Sequence, residues 1–217
     1  MNYKKYIAEF IGTFFLVLVI SMVTLTKVQS DLQPIAIGFT LMAMIFAAGH
    51  ISGAHFNPAV SLAFFLRSKL TGIELLFYVL AQLAGGVAAA VAATLLVSVK
   101  LRQIPLPFGD LPVYFGIGQA FAAEIMGTFA LVWVVLNVAT TKALEGNNFY
   151  GLAIGFTQAA MIYTFSGVSG GFFNPAIAAG LSAIQLINYQ NIWIYLLAAP
   201  IGAALSAYSF KFLSAED

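Results

Sequence analysis

Ser52-Gly53-Ala54-His55-Phe56-Asn57-Pro58-Ala59-Val60 breaks an otherwise apolar chain, and the break recurs as Ser169-Gly170-Gly171-Phe172-Phe173-Asn174-Pro175-Ala176-Ile177. An Asn and a Pro inside apolar sequence are expensive in lipid, where no water satisfies stray polar groups. A chain that carries the pair twice, in matched settings, is expected to line a water-filled path with it. Asn57, Pro58, Ala59, Asn174, Pro175 and Ala176 are therefore the first candidate pore residues.

The bulk composition agrees with a membrane setting. Of 217 residues, 61% are hydrophobic and 8% charged, and the mean hydropathy is +0.96. A soluble domain carries about 25% charged residues, so lipid must cover much of this surface. A membrane span takes about 20 apolar residues. The length fits six spans with short loops and leaves no room for a soluble domain. A net charge of +1 gives no footing for nucleic acid. The absence of cysteine excludes disulfides and thiolate metal sites, and no cofactor or metal site is expected.

Apolar runs place the spans at roughly 6–25, 34–48, 73–99, 117–140, 150–165 and 192–213. Lys4 and Lys5 precede the first run as in a signal peptide. No small-residue cleavage site follows, so the run reads as a retained span. Gly49 to Phe56 and Ser166 to Phe173 read as irregular. The helical pieces after them, Pro58 to Leu66 and Pro175 to Leu186, are too short to cross the bilayer. Ten residues rise about 15 Å, half of a hydrocarbon core of about 30 Å.

The chain is internally duplicated. Ala8-Glu9-Phe10-Ile11-Gly12-Thr13-Phe14 matches Ala123-Glu124-Ile125-Met126-Gly127-Thr128-Phe129, and Ala36-Ile37-Gly38-Phe39-Thr40 matches Ala153-Ile154-Gly155-Phe156-Thr157. Three spans per half make the second half enter from the opposite side. The expectation is one domain over 1–217, built from inverted repeats at about 1–105 and 106–217, with its site where the broken helices meet. Lys4, Lys5, Arg67, Lys69, Lys142 and Lys211 fall on the side of the N-terminus, against Lys27, Lys100 and Arg102 on the other. That excess favours cytoplasmic termini.

Pro suits the first position of a helix and Asn suits the cap before it, so one Asn-Pro alone would mark only a helix start. Two of them at half-span helices suggest more. Each Asn oxygen can cap its own helix while its NH₂ faces the path as a donor. Two helix N-termini facing each other set positive dipole ends against cations, including hydronium. Backbone carbonyls of 49–56 and 166–173 would add acceptors.

Glu9 and Glu124 sit inside spans, where a carboxylate is costly. A proton relay is one reading. Their symmetric placement favours a support role, each accepting N–H groups from the irregular loop of its own half. His50 and His55 flank the first turn without counterparts, since Gly167 and Phe172 stand at the matching places. They read as hydrogen-bonded loop residues, with His55 a candidate for the pore wall.

Taken together, the strings Ala8 to Phe14, Gly49 to Val60, Ala81-Gln82-Leu83-Ala84-Gly85 and Ser169 to Ala176 make the chain resemble the major intrinsic protein family, the aquaporins and aquaglyceroporins, over almost its full length. The resemblance implies an all-α membrane protein of six transmembrane helices plus two half-helices. It also implies a pore in every protomer of a homotetramer, passing water or small neutral solutes through the lipid bilayer. A prokaryotic inner membrane is the expected location. A coupled transporter using Glu9 or Glu124, and a structural protein with a closed pore, are the competing classes.

The family has a second constriction outward of the Asn pair. By spacing, its four positions fall here on Ile37, Ile162, Gly171 and Ile177. Most relatives carry Arg at the last, and water-specific ones carry an aromatic and a His at the first two. Here the side chains are all apolar. Water crossing such a ring loses partners, at about 1–3 kcal/mol per unmade hydrogen bond, while less polar neutral solutes lose less. Alternatively Arg102, in the loop 100–110, supplies the missing charge.

Overall fold

The computed structural model describes residues 3–26, 30–97 and 116–214. Among them are eight α-helices: α1 (Tyr3–Thr26), α2 (Gln33–Ser52), α3 (Pro58–Leu66), α4 (Gly72–Leu96), α5 (Ile117–Thr140), α6 (Tyr150–Ser169), α7 (Pro175–Ala183) and α8 (Ile192–Leu213). Six are long and apolar enough to cross a membrane. The other two, α3 and α7, have nine residues each, about 14 Å of rise.

The loop 100–110, with Lys100 and Arg102, lies outside the described residues, as does Lys27.

Two boundaries differ from the sequence reading. Residues 49–52 and 166–169 are helical, so α2 and α6 each run four residues further than expected. Neither Gly49 nor Ser166 ends its helix. The stop comes at Gly53 and Gly170, whose φ values of +86° and +92° are left-handed; their N–H groups close on Gly49 O and Ser166 O. Glycine is the residue that takes this conformation without a Cβ penalty. The irregular segments shrink accordingly to 53–56 and 170–173. At the other end, α7 stops at Ala183 rather than Leu186.

Packing follows the duplication. α1 lies against α4 and α2, and α5 lies against α8 and α6. The short helices cross over: α3 packs on α8 of the other half, and α7 on α4. α2 meets α6 between the halves. Polarity is inverted relative to a soluble protein. Glu9, Thr13, Gln82, Glu124, Thr128 and Ser206 are fully buried, whereas Ile7, Ile11 and Phe15 on α1 and Leu80, Val87 and Val91 on α4 are exposed. Lipid tails match that outer surface, and among the interior polar groups Glu9, Gln82 and Glu124 are hydrogen-bonded.

Candidate pore

Each loop is built around a carboxylate. Glu9 Oε1 accepts from the Ser52 hydroxyl at 2.6 Å and the His55 N–H at 2.9 Å. Its Oε2 accepts from the Phe56 N–H at 2.7 Å and the Gln82 amide at 2.8 Å. In the other half, Glu124 Oε1 accepts from Ser169 Oγ at 2.7 Å and Phe172 N–H at 3.0 Å, and Oε2 from Phe173 N–H at 2.7 Å. Ser52 Oγ also takes the Ala54 N–H, and Ser169 Oγ the Gly171 N–H. Tyr78 and Tyr195 donate to Ser52 O and Ser169 O, where the helices end.

These bonds hold a backbone that few residues adopt. Ala54, Phe56 and Phe173 have φ between +50° and +52°, and Gly171 has +68°. Left-handed φ at non-Gly positions is uncommon; the buried carboxylates hold Phe56 and Phe173, and Ser52 Oγ holds Ala54. The Phe56 and Phe173 rings, both fully buried, fill the space over Gly12 and Gly127, where any Cβ would overlap them.

The two loops then tie to each other. Asn57 caps α3 by accepting the Ala59 N–H at 2.9 Å, and its Nδ2 donates to Phe173 O at 2.9 Å. Asn174 caps α7 through Ala176 N–H at 2.9 Å, and its Nδ2 donates to Phe56 O at 2.9 Å. The N-termini of α3 and α7 therefore meet. One N–H of each amide is spent on this cross-tie, and one is left. The carbonyls of Phe56 and Phe173 each accept one of these bonds and keep a second lone pair, while 49–52 and 166–169 are helical, so the acceptor series is shorter than the sequence suggests.

A cavity of about 640 Å³ runs up to this junction. Asn57, Asn174 and Gln158 line its inner part; Lys5, Lys69, Lys142 and Glu145 also line it. Three of the six cations assigned to one side of the membrane thus share one cavity. Ala54, His55 and Phe56 of the first loop line it too.

The two histidines separate. His55 is 5% exposed, and its Nδ1 pairs with Ser61 Oγ at 3.0 Å, which in turn takes a hydrogen bond from Gln82. His50 lies in the last turn of α2, exposed, lining the cavity, with no hydrogen bond among the described residues. It does not support the loop.

Ile37, Ile162, Gly171 and Ile177 are all buried and outside the cavity lining. A Cβ on Gly171 would sit 3.3 Å from Ile162 Cα, so these two positions are in close contact. Moving each position to its repeat mate, 117 residues away, gives Ile154, Ile45, Ala54 and Val60. All four of those line the cavity.

Sequence reading missed four contributors. Tyr78 and Tyr195 stand 117 residues apart, a signal the offset could have exposed. Gln158 is a mid-span amide, as Gln82 is. Ser61 carried no signal, because its counterpart is Ala178.

Six apolar spans, closed around two half-length helices that meet end to end above a cavity, define an α-helical membrane protein of the channel type. A family model described as "Major intrinsic protein" matches residues 1–210. The chain is 36% identical to "Glycerol uptake facilitator protein-like 6" of Lactiplantibacillus plantarum over 224 residues, covering 99% of this chain and 100% of that one. It is 31% identical to "Aquaporin AqpM" of Methanothermobacter thermautotrophicus over 243 residues, covering 98% of each. A crystal structure of the aquaglyceroporin from Plasmodium falciparum superposes with a TM-score of 0.84 at 21% identity, over 97% of this chain and 96% of that one; this likeness speaks for the fold. The chain belongs to the major intrinsic protein family, whose members are passive membrane channels for water or small neutral solutes and not enzymes.

Proposed function

We propose that this channel favours small neutral solutes such as glycerol, urea, ammonia or neutral metalloid hydroxides over water. The observation that carries the reading is the all-apolar set Ile37, Ile162 and Ile177 with Gly171 beside them, buried and outside the cavity lining. With no donor or charge among its side chains, such a ring penalises water by about 1–3 kcal/mol for each hydrogen bond it leaves unmade. Solutes with apolar surface fill it at lower cost. Asn57 and Asn174 orient the permeant with the N–H each has left, and the facing N-termini of α3 and α7 oppose cations. The relative named for glycerol uptake supports the same direction.

Each protomer holds its own pore between inverted repeats, about 1–105 and 106–217, and the reciprocal Asn bonds to Phe173 O and Phe56 O support that arrangement. Four protomers associate in the lipid bilayer of a prokaryotic inner membrane. Lys5, Lys69 and Lys142 around one cavity support a cytoplasmic mouth there, with both termini on the same side. Glu9 and Glu124 support the loops and carry no protons across, since both oxygens of each are held by loop donors.

The test is solute entry into proteoliposomes at several temperatures, with and without an imposed proton gradient. A passive channel gives flux set by the solute gradient alone, with a weak temperature dependence. Flux that follows the proton gradient overturns the reading.

A further inference from the structure

Gln158 lies near the middle of α6, and its repeat mate, 117 residues earlier, is Leu41 near the middle of α2. Both line the cavity together with Asn57 and Asn174. Gln158 is 2% exposed, yet its amide makes no hydrogen bond among the described residues. Buried side-chain amides have partners as a rule, because burial without one is costly. Gln82, by contrast, is held through its nitrogen by Glu9 and Ser61 and stands outside the cavity lining. An unpartnered amide on a cavity wall is satisfied by what enters the cavity.

Among the side chains, the chemistry at this level is one-sided without it. Each Asn oxygen is taken by its own helix, so the pair offers N–H groups only. Leu41 offers nothing polar. The matched sets on either side, Ile37 with Ile162 and Ile45 with Ile154, are apolar. Gln158 adds a carbonyl acceptor beside a second type of donor.

We propose that Gln158 is a specificity-determining residue, its Oε1 accepting from a permeant hydroxyl or N–H while Asn57 and Asn174 donate to a permeant oxygen. A polyol or a urea-like solute carries donors and acceptors on separate atoms, so it can engage both groups at once. Water has a single centre and gains less. The inference rests on the solute-channel reading above and names the residue that selects within it.

The experiment compares wild type with Gln158→Met, which keeps the side-chain volume, and with Gln158→Leu, which copies Leu41. Osmotic water shrinkage and glycerol or urea entry are measured on the same proteoliposomes. The expected result is a glycerol-to-water permeability ratio lowered about fivefold or more, the factor for one lost hydrogen bond. A ratio that stays or rises in either folded variant overturns the proposal and leaves the channel reading standing. Wild-type vesicles that pass neither water nor solute faster than empty ones overturn both.

Discussion

Replacing Glu9 or Glu124 by Gln separates a loop support from a proton relay. Both residues are fully buried. In the Glu9→Gln variant, one acceptor oxygen becomes an NH₂. Placed at the Oε2 site, that NH₂ faces the Phe56 N–H, now 2.7 Å from the carboxylate. Gln82 turns its oxygen to the new NH₂ only by giving up its own bond to Ser61 Oγ. Placed at the Oε1 site, the NH₂ faces the His55 N–H, while the Ser52 hydroxyl can rotate. Either way one backbone donor is orphaned, at about 1–3 kcal/mol. The Glu124→Gln variant meets the same choice between Phe172 and Phe173. Leu at either place orphans two backbone donors, so its loss is about twice as large. For a chain of this size, 1 kcal/mol corresponds to about 2–4 °C in thermal midpoint. Tryptophan fluorescence of Trp133 and Trp193 on heating in detergent should therefore show both Gln variants falling by about 2–12 °C, with glycerol flux still indifferent to a proton gradient. A midpoint that does not move, together with loss of a flux that had followed the proton gradient, would refute the support role.

Gly12→Val and Gly127→Val put side-chain carbon into the fully buried Phe56 and Phe173 rings. Overpacking of about 1–3 kcal/mol or more should lower the yield of monodisperse protein on gel filtration, and normal yield for both would show the loops are not seated as described. Asn57→Ala and Asn174→Ala each remove one cap and one cross-tie to the opposite loop. Each should cost about 1–3 kcal/mol, and the two midpoints should fall alike, because their bonds are matched. Ile177→Arg puts a charge and a longer side chain among four buried, apolar positions. Glycerol entry should drop about fivefold or more relative to water, equivalent to about 1 kcal/mol; an unchanged ratio would mean the filter lies elsewhere.

The architecture was legible because lipid imposes few solutions. Apolar runs gave six spans, and the 117-residue spacing of Asn57 and Asn174 gave the duplication. Local propensity misled at the helix ends. Gly49-His50-Ile51-Ser52 looks like a poor helix, yet it continues α2, because the left-handed turn at Gly53 ends the helix and the Glu9 carboxylate fixes His55 and Phe56 beyond it. Position in sequence also made His50 and His55 look equivalent. One extra helical turn carries His50 to the exposed face of α2, while His55 enters the buried network of Glu9, Ser61 and Gln82. The Asn oxygens could be assigned from the Asn-Pro pairs alone. Their NH₂ groups could not, since the partner of each is a carbonyl of the opposite half, over a hundred residues away. Gln158 escaped notice because nothing in its own span announces that its amide is left unpaired.

The proposed preference for solute over water rests on Ile37, Ile162, Gly171 and Ile177, and light scattering from proteoliposomes given two osmotic steps tests it most directly. An impermeant osmolyte reads water, and a glycerol or urea gradient reads solute, in the same vesicles. The account predicts solute entry well above that of empty vesicles, with only modest acceleration of water. Fast water shrinkage with solute entry no faster than through bare lipid would contradict it.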